Sequence, residues 1–294
     1  PRQLPPIGAG KPFFDAVTYL TPPNAEALFP RVSRGYAELT IQRRHKASGE
    51  KASFPIDLQL ANWFSGRPLA PGEDEVWSVL TGRGDPTGRV ATHRWDKTEE
   101  LRSKLIEVLC SELGLKGIDD QVTFATSYGG ELTGDYVKFN LGAAGRVEDW
   151  QVLTPLRNEV LGAKDINRLL HKTFRNDAVA WASKPARGQA RVTPPRGPEE
   201  IVYGDKVINV RNHKRKFVTP DAGALQYIAN GEIGVVQGEI QSVPSSSNKP
   251  WRTKVEFSSQ PGFAYNFATW DFDDERSPLL ELAYAVTVHK AQGS

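Results

Sequence analysis

At 294 residues the chain is long enough for about two domains of roughly 100–200 residues each. Its 39% hydrophobic and 24% charged residues are ordinary for a globular protein. No stretch approaches the ~20 consecutive apolar residues of a membrane helix, and no secretory leader is visible, so no membrane partner is expected. The single cysteine, Cys110, cannot close an intrachain disulfide, which suits a reducing cytoplasm. Five scattered histidines give no zinc-ligand spacing, so no metal site is expected. Formal net charge is only +2, and the positive charge that bears on function is local.

In chain order, residues 1–15 form a Pro/Gly-rich loop without periodicity. Asn24 is placed to cap a short helix to Phe29. Gly35 to Ile41 reads as a strand ending in the basic cluster Arg43-Arg44-His45-Lys46. Pro55 to Phe64 suits a helix with proline in its first turn, and the apolar run Val76 to Leu80 suits a strand. Lys97 to Leu113 is the clearest helix, with Leu101, Leu105, Val108, Leu109 and Leu113 on one face and Cys110 beside it as inert core. Strands are expected at Gln121–Ala125 and Asp149–Thr154. Asp165 is placed to cap a helix that turns Ile166, Leu169, Leu170 and Phe174 inward. Alternating strands and helices predict a parallel α/β sheet.

Composition changes after Trp181. Residues 182–198 are a Pro-rich connector carrying Lys184, Arg187, Arg191 and Arg196 and no acid before Pro198. A second basic run follows at Arg211, His213, Lys214, Arg215 and Lys216. Each run reads either as a solvated segment or as a contact strip for phosphates. Between them and beyond lie short β segments at Ile201–Val210, Gly231–Gln241, Arg252–Phe257 and Phe263–Ala268, bounded by turn signals. Such a series predicts a small barrel. The carboxylates Asp271, Asp273, Asp274 and Glu275 read as an exposed loop. Leu279 to Val288 suits one buried parallel strand that returns the chain to the α/β sheet. The chain contains no methionine and stops in Ala291-Gln292-Gly293-Ser294 without a helix stop, as expected of a piece of a longer polypeptide.

Three segments stand out together: Arg2-Gln3-Leu4-Pro5-Pro6-Ile7-Gly8-Ala9-Gly10, Leu39-Thr40-Ile41-Gln42-Arg43-Arg44, and Ala285-Val286-Thr287-Val288-His289-Lys290-Ala291-Gln292-Gly293-Ser294. In this order they resemble motifs III, IV and V of superfamily-one DNA helicases of the UvrD/RecD-like type. Trp150-Gln151-Val152-Leu153-Thr154-Pro155-Leu156-Arg157 with Ile166-Asn167 adds a strand-and-helix signature of the RecD-like branch. Gly204-Asp205-Lys206-Val207 with Asn212, then Asn230-Gly231-Glu232-Ile233-Gly234, resembles the start of that branch's inserted barrel.

The resemblance runs from Pro1 to Ser294. It implies an α/β fold, a RecA-like parallel-sheet domain with an inserted SH3-like β-barrel. The implied organisation is the end of a first motor domain (1–15), a second motor domain (16–181), a basic linker (182–198), the barrel (199–278) and a return to the motor domain (279–294). The implied activity is ATP-driven translocation on single-stranded DNA, by a helicase or an exonuclease subunit, with ATP and Mg²⁺ as cofactors. The implied partners are single-stranded DNA, the first motor domain of the same polypeptide and exonuclease-complex subunits.

Roles follow by position. Thr287 and His289 match residues that touch the strand, and Lys290, Gln292 and Gly293 match residues near the nucleotide or the strand. The turn after a buried strand is where α/β sheets place ligands, and the first N–H groups of a helix favour an anion. Arg44, or Arg43 beside it, matches the arginine that faces the γ-phosphate, where a fixed guanidinium is worth ~10³–10⁵ in rate. Gln3 matches the residue that couples nucleotide to strand. Lys214 and Arg215 are the barrel's candidate phosphate contacts. The sequence departs from the family in having no Gly-x-x-x-x-Gly-Lys-Ser/Thr loop and no acidic pair for Mg²⁺, which the family carries upstream of motif III. This segment alone is therefore expected to be inactive toward ATP. Two other readings stay open: a non-catalytic DNA-binding module on a degenerate motor fold, and the helicase part of a relaxase or viral replication protein.

Overall fold

The computed structural model describes Tyr19, residues 32–33, 36–37, 56–63 and 76–82, Asp85, and residues 88–184, 193–238, 252–273 and 278–291. Two compact units divide the chain, Pro1–Arg94 and Trp95–Ser294.

In the first unit, β1 (Val32–Ser33) pairs antiparallel with β2 (Tyr36–Ala37); β2 falls inside the expected strand Gly35–Ile41 and β1 lies before it. Helix α1 (Ile56–Trp63) falls where proline and pattern place it. Val76–Leu80, expected as a strand, is helix α2. Its Val76 is buried, and Trp77 meets Trp63 of α1 edge-on at 4.5 Å, the favoured geometry for two quadrupolar rings. Five residues are too few to separate a period of 2 from one of 3.6. The expected helix from Asn24 lies outside the described residues.

The second unit begins with α3 (Thr98–Glu112), whose Glu99 and Glu100 lie at the positive end of its dipole. Leu109 is buried, and Leu105, Cys110 and Leu113 pack on the core. Burial, and secondarily Asp120, pushes the Cys110 thiol up from its usual range, in keeping with an inert side chain. Gln121–Ala125 belongs to helix α4 (Gln121–Thr126) rather than to a strand. Asp120 starts it by accepting from the Thr123 N–H at 3.1 Å, which satisfies one of the unpaired donors of the first turn.

A hairpin, β3 (Glu131–Thr133) and β4 (Tyr136–Lys138), precedes a 3-10 turn at Ala143–Arg146 and strand β5 (Val152–Thr154). Helix α5 (Ala163–Phe174) turns Ile166, Asn167, Leu170, His171 and Phe174 inward. Its N-cap is Gly162, not Asp165, which sits in the first turn and reaches back to accept from the Leu161 N–H at 2.9 Å. Helix α6 (Asn176–Ser183) follows.

Strands β6 (Lys206–Asn209), β8 (Val218–Thr219), β10 (Ile233–Gln237), β11 (Thr253–Phe257), β12 (Ala264–Phe267) and β13 (Leu280–Leu282) form one antiparallel sheet in the order β13-β6-β10-β11-β12-β8. Among the described residues this sheet is open: β13 and β8 are its edges, and no closed barrel is formed. A two-stranded ribbon, β7 (His213–Lys214) with β9 (Tyr227–Ile228), stands beside it.

The apolar run at 279–288 is not one strand. It divides into β13, antiparallel to β6, and β14 (Ala285–Thr287), parallel to β5. The β14–β5 pair is the parallel pairing among the described strands. A short helix, α7 (Val288–Ala291), ends the described chain.

One apolar core joins the helices to the sheet. Phe124 stacks on Phe174 at 4.4 Å, and Tyr128, Trp150 and Tyr284 surround them. Buried Glu256 of β11 anchors the 3-10 turn to the sheet. It accepts from the Gly142 N–H at 2.6 Å, the Ala144 N–H at 3.2 Å and the Gln237 amide at 2.6 Å, and also from the Gly262 N–H. None of the described helices is long and apolar enough to cross a membrane.

Candidate functional site

The chain between β13 and β14 leaves one sheet for another, so its backbone is only partly paired there: the Ala283 N–H donates to Lys206 O at 2.9 Å and Tyr284 O accepts from the Val152 N–H at 3.2 Å. Buried amide groups of this kind must be satisfied by something else. Two side-chain amides supply much of the rest. Asn167 of α5 donates to Leu282 O at 2.8 Å and Ala285 O at 2.9 Å, and accepts from the Ala285 N–H at 2.8 Å. Gln151 donates to Ala283 O at 3.0 Å and Tyr284 O at 2.9 Å. These bonds fix β14 against β5, and so fix where Thr287 emerges.

Beneath the crossover, Tyr284 donates to the buried carboxylate of Asp205 at 3.0 Å. The same carboxylate accepts from Arg175 Nε at 2.9 Å and the Val202 N–H at 2.7 Å, and faces His171 Nε2 at 2.9 Å. Burial by itself pushes this carboxyl up. His171, Arg175 and the backbone N–H outweigh burial and hold Asp205 below the usual carboxylate range. Tyr128 donates to Gly204 O at 2.9 Å, and Arg175 also reaches Tyr203 O. This polar cluster positions the helix-to-sheet junction.

Above it, at the carboxyl ends of β5 and β14, lies a small open cleft. The loop leading from β5 into α5 is wound tightly by Ala163 N–H to Leu156 O at 2.9 Å and Lys164 N–H to Arg157 O at 3.0 Å. A Cβ on Gly162 would meet Arg157 O and Glu159 O at 2.8 Å, so the loop closes only on glycine. It presents Arg157 and Lys164 to the cleft, which Thr287, Lys290, Glu199 and Glu281 also line. Arg157 pairs with Glu281 at 2.7 Å, while Glu199 accepts from the Leu282 N–H at 2.7 Å. Burial, helped by neighbouring Glu281, pushes Glu199 up, whereas burial pulls Lys290 down. Three cations face two carboxylates, one of which is engaged by Arg157. The lining thus carries one more cation than carboxylate.

The residues singled out by sequence divide clearly. Thr287 and Lys290 line this cleft. His289 is exposed on α7 and is not part of the lining. Gln3, Arg43, Arg44, Gln292 and Gly293 lie outside the described residues. Lys214 is exposed on the ribbon. Arg215 turns inward: it pairs with Asp271 at 2.9 Å and lies 4.2 Å over the Phe267 ring. Asp271, read as part of an exposed loop, is accordingly buried.

Arg196 likewise leaves the expected solvent strip. It is 6% exposed and donates to Thr269 Oγ1 at 2.8 Å. Lys164, Glu199 and Glu281 belong to no sequence motif, and Arg157 closes the strand-and-helix signature without a role assigned by it. Among the described residues no group of three or more His, Cys, Asp or Glu is placed to hold a metal.

No family model matches the chain, and no solved structure matches it. It is similar to the uncharacterized protein MJ1519 of Methanocaldococcus jannaschii, with 22% identity over 325 aligned positions that take in all of this chain. The chain spans 22% of that protein's length.

Proposed function

We propose that this chain is the second motor segment of an ATP-driven translocase that moves along single-stranded DNA, and that the cleft at the ends of β5 and β14 holds the strand's phosphates. One observation carries the reading. Thr287 and Lys290, singled out by the resemblance to motif V, lie together with Arg157 and Lys164 around one cleft, at the sheet edge where α/β proteins bind ligands.

On this reading the β5–β14 pair belongs to a RecA-like sheet and the antiparallel sheet is the SH3-like insertion. ATP and Mg²⁺ are gripped by a first motor domain earlier in the same polypeptide, and Arg44 completes that site in the cytoplasmic enzyme. Closure of the two motor domains on ATP then shifts the phosphates held at Thr287.

The test is binding of a fluorescein-labelled oligothymidylate to the chain, followed by anisotropy between 50 and 200 mM salt. Removing one cation–phosphate pair lowers the slope of log affinity against log salt by ~0.7 for a single strand. Arg157→Ala with Lys164→Ala should lower it by about 1.4 and weaken binding at low salt. Unchanged affinity and slope in the double variant would remove the cleft from strand binding.

A further inference from the structure

The Arg157–Glu281 ion pair joins two elements that line the cleft. Arg157 stands in the loop from β5 to α5, Glu281 stands in the middle of β13, and Nη2 lies 2.7 Å from Oε1. The two ends differ. The Arg157 side chain is 47% exposed and the Glu281 side chain 14%, so an anion from solvent can reach the guanidinium while the carboxylate stays covered. Leu280 and Leu282, on either side of Glu281, are buried and fix its place on the strand.

Other charges surround the pair. Glu281 opposes the fall that burial imposes on Lys290 of α7, and it adds to the rise that burial imposes on Glu199. The Leu282 N–H, which donates to Glu199 at 2.7 Å, pulls the other way, as do Lys164 and Arg168 of α5, without offsetting that burial. Glu199, Glu281 and Lys164 also line an adjoining hollow with Arg168 and Arg196.

A carboxylate in the lining works against an anionic ligand. Glu281 already holds the guanidinium that a phosphate would use, so the phosphate must displace it. Once displaced, Glu281 has lost that cation, and the phosphate adds a further negative charge near Glu199. Each added negative charge raises a carboxyl that burial has already pushed up. A group whose hold on protons tightens on binding takes a proton up, and binding then strengthens as pH falls.

We propose that Glu281 holds Arg157 as an internal counter-ion and yields it to an incoming phosphate, and that Glu199 takes up a proton when this exchange occurs. The proposal rests on the strand-binding reading of the cleft and adds its regulation: Glu281 limits affinity at neutral pH, and acid relieves the limit.

The experiment follows a labelled oligothymidylate on the whole chain by anisotropy between about pH 6 and 8, with calorimetry in two buffers of unequal ionisation heat to count the protons exchanged. Glu281→Gln keeps the shape of the side chain and frees Arg157. It should bind about fivefold tighter near neutral pH, a gain that misfolding does not produce. The gain should vanish in the Arg157→Ala background, because it passes through that guanidinium. Glu199→Gln should abolish the proton uptake and flatten the rise in affinity toward acid pH. His289 is exposed on the same helix as Lys290, and histidine is the side chain that ordinarily titrates in this range, so His289→Gln should leave the uptake in place.

A Glu281→Gln variant that binds no tighter than the wild-type chain, or a gain that survives without Arg157, would overturn the counter-ion role. Uptake that persists in Glu199→Gln and disappears in His289→Gln would overturn the role of Glu199. Arg157→Ala with Lys164→Ala separates this coupling from the reading beneath it. If that variant binds as the wild-type chain does, the cleft reading itself fails. If it weakens binding while Glu281→Gln and Glu199→Gln match the wild-type chain, the cleft stands and the coupling falls.

Discussion

Arg175 Nε donates to Asp205 Oδ1 across 2.9 Å, with both side chains sealed from solvent. The pair bridges the end of helix α5 to the start of strand β6. Removing one partner of such a pair strands a buried charge and costs about 3–5 kcal/mol. Asp205→Ala should therefore lower the urea midpoint sharply at pH 7, and Asp205→Asn, which keeps the shape but not the charge, should also destabilise. The pH dependence follows from the depressed carboxyl. The unfolded chain binds the Asp205 proton more readily, so this group's stabilisation is present above about pH 4 and fades as pH falls through the folded pKa. An Asp205→Asn variant whose stability matched the wild-type protein at pH 7 would refute the assignment.

Lys206 gives the same sign in a higher pH window. Its Nζ is buried, donates to Trp150 O at 2.6 Å and lies 4.7 Å over the Trp150 ring. Burial pulls its pKa down to about 7. Between that value and the unfolded value of about 10.4, the unfolded chain holds more protons, so stability should rise with pH across the window. Lys206→Met should flatten this slope, as read from chemical denaturation at pH 7, 8 and 9. A slope that survives the substitution belongs to another group.

Gly204 adopts φ +81°, and a Cβ there would lie 2.5 Å from Phe139 Cε2 and 2.9 Å from Arg175 Nη2. Gly114 has a similar φ of +66° with nothing within 4 Å of such a Cβ. Gly114→Ala should thus cost only the left-handed backbone term of about 1–2 kcal/mol. Gly204→Ala should cost clearly more, because the methyl group must also displace the buried Phe139 ring and the Arg175 guanidinium. Equal destabilisation of the two variants in thermal melts would mean that the junction yields easily.

Arg44→Ala, in the full-length protein, should lower ATP turnover by about 10³-fold or more while strand binding changes little. Steady-state ATPase assays with oligothymidylate decide it. Normal turnover would move the role to Arg43.

The long helix α3 is legible in the sequence because apolar spacing over fifteen residues admits one period. Helices α2 and α4 are not, since Val76, Trp77, Val122 and Phe124 are strand-favouring residues in windows of one or two turns. The signal for α4 is present in Asp120, whose side chain caps the Thr123 N–H. Leu279 to Val288 reads as one strand because both halves are buried, and hydrophobicity does not say which sheet does the burying. Thr287 and Lys290 are legible as a motif. Glu199, Glu281 and Lys164 reach the same cleft from three separate elements, an arrangement set by topology alone. Arg196 and Arg215 read as solvent cations because their partners, Thr269 and Asp271, lie more than fifty residues away in sequence.

The crossover at Ala283-Tyr284 also decides how the chain bears tension. A pull on Thr287 along its strand is met by the parallel ladder Ala285–Val152, Val286–Leu153 and Thr287–Thr154, loaded in shear. Asn167 grips the backbone immediately behind it. Force on Thr287 thus meets β5 and α5 before the β13–β6 edge.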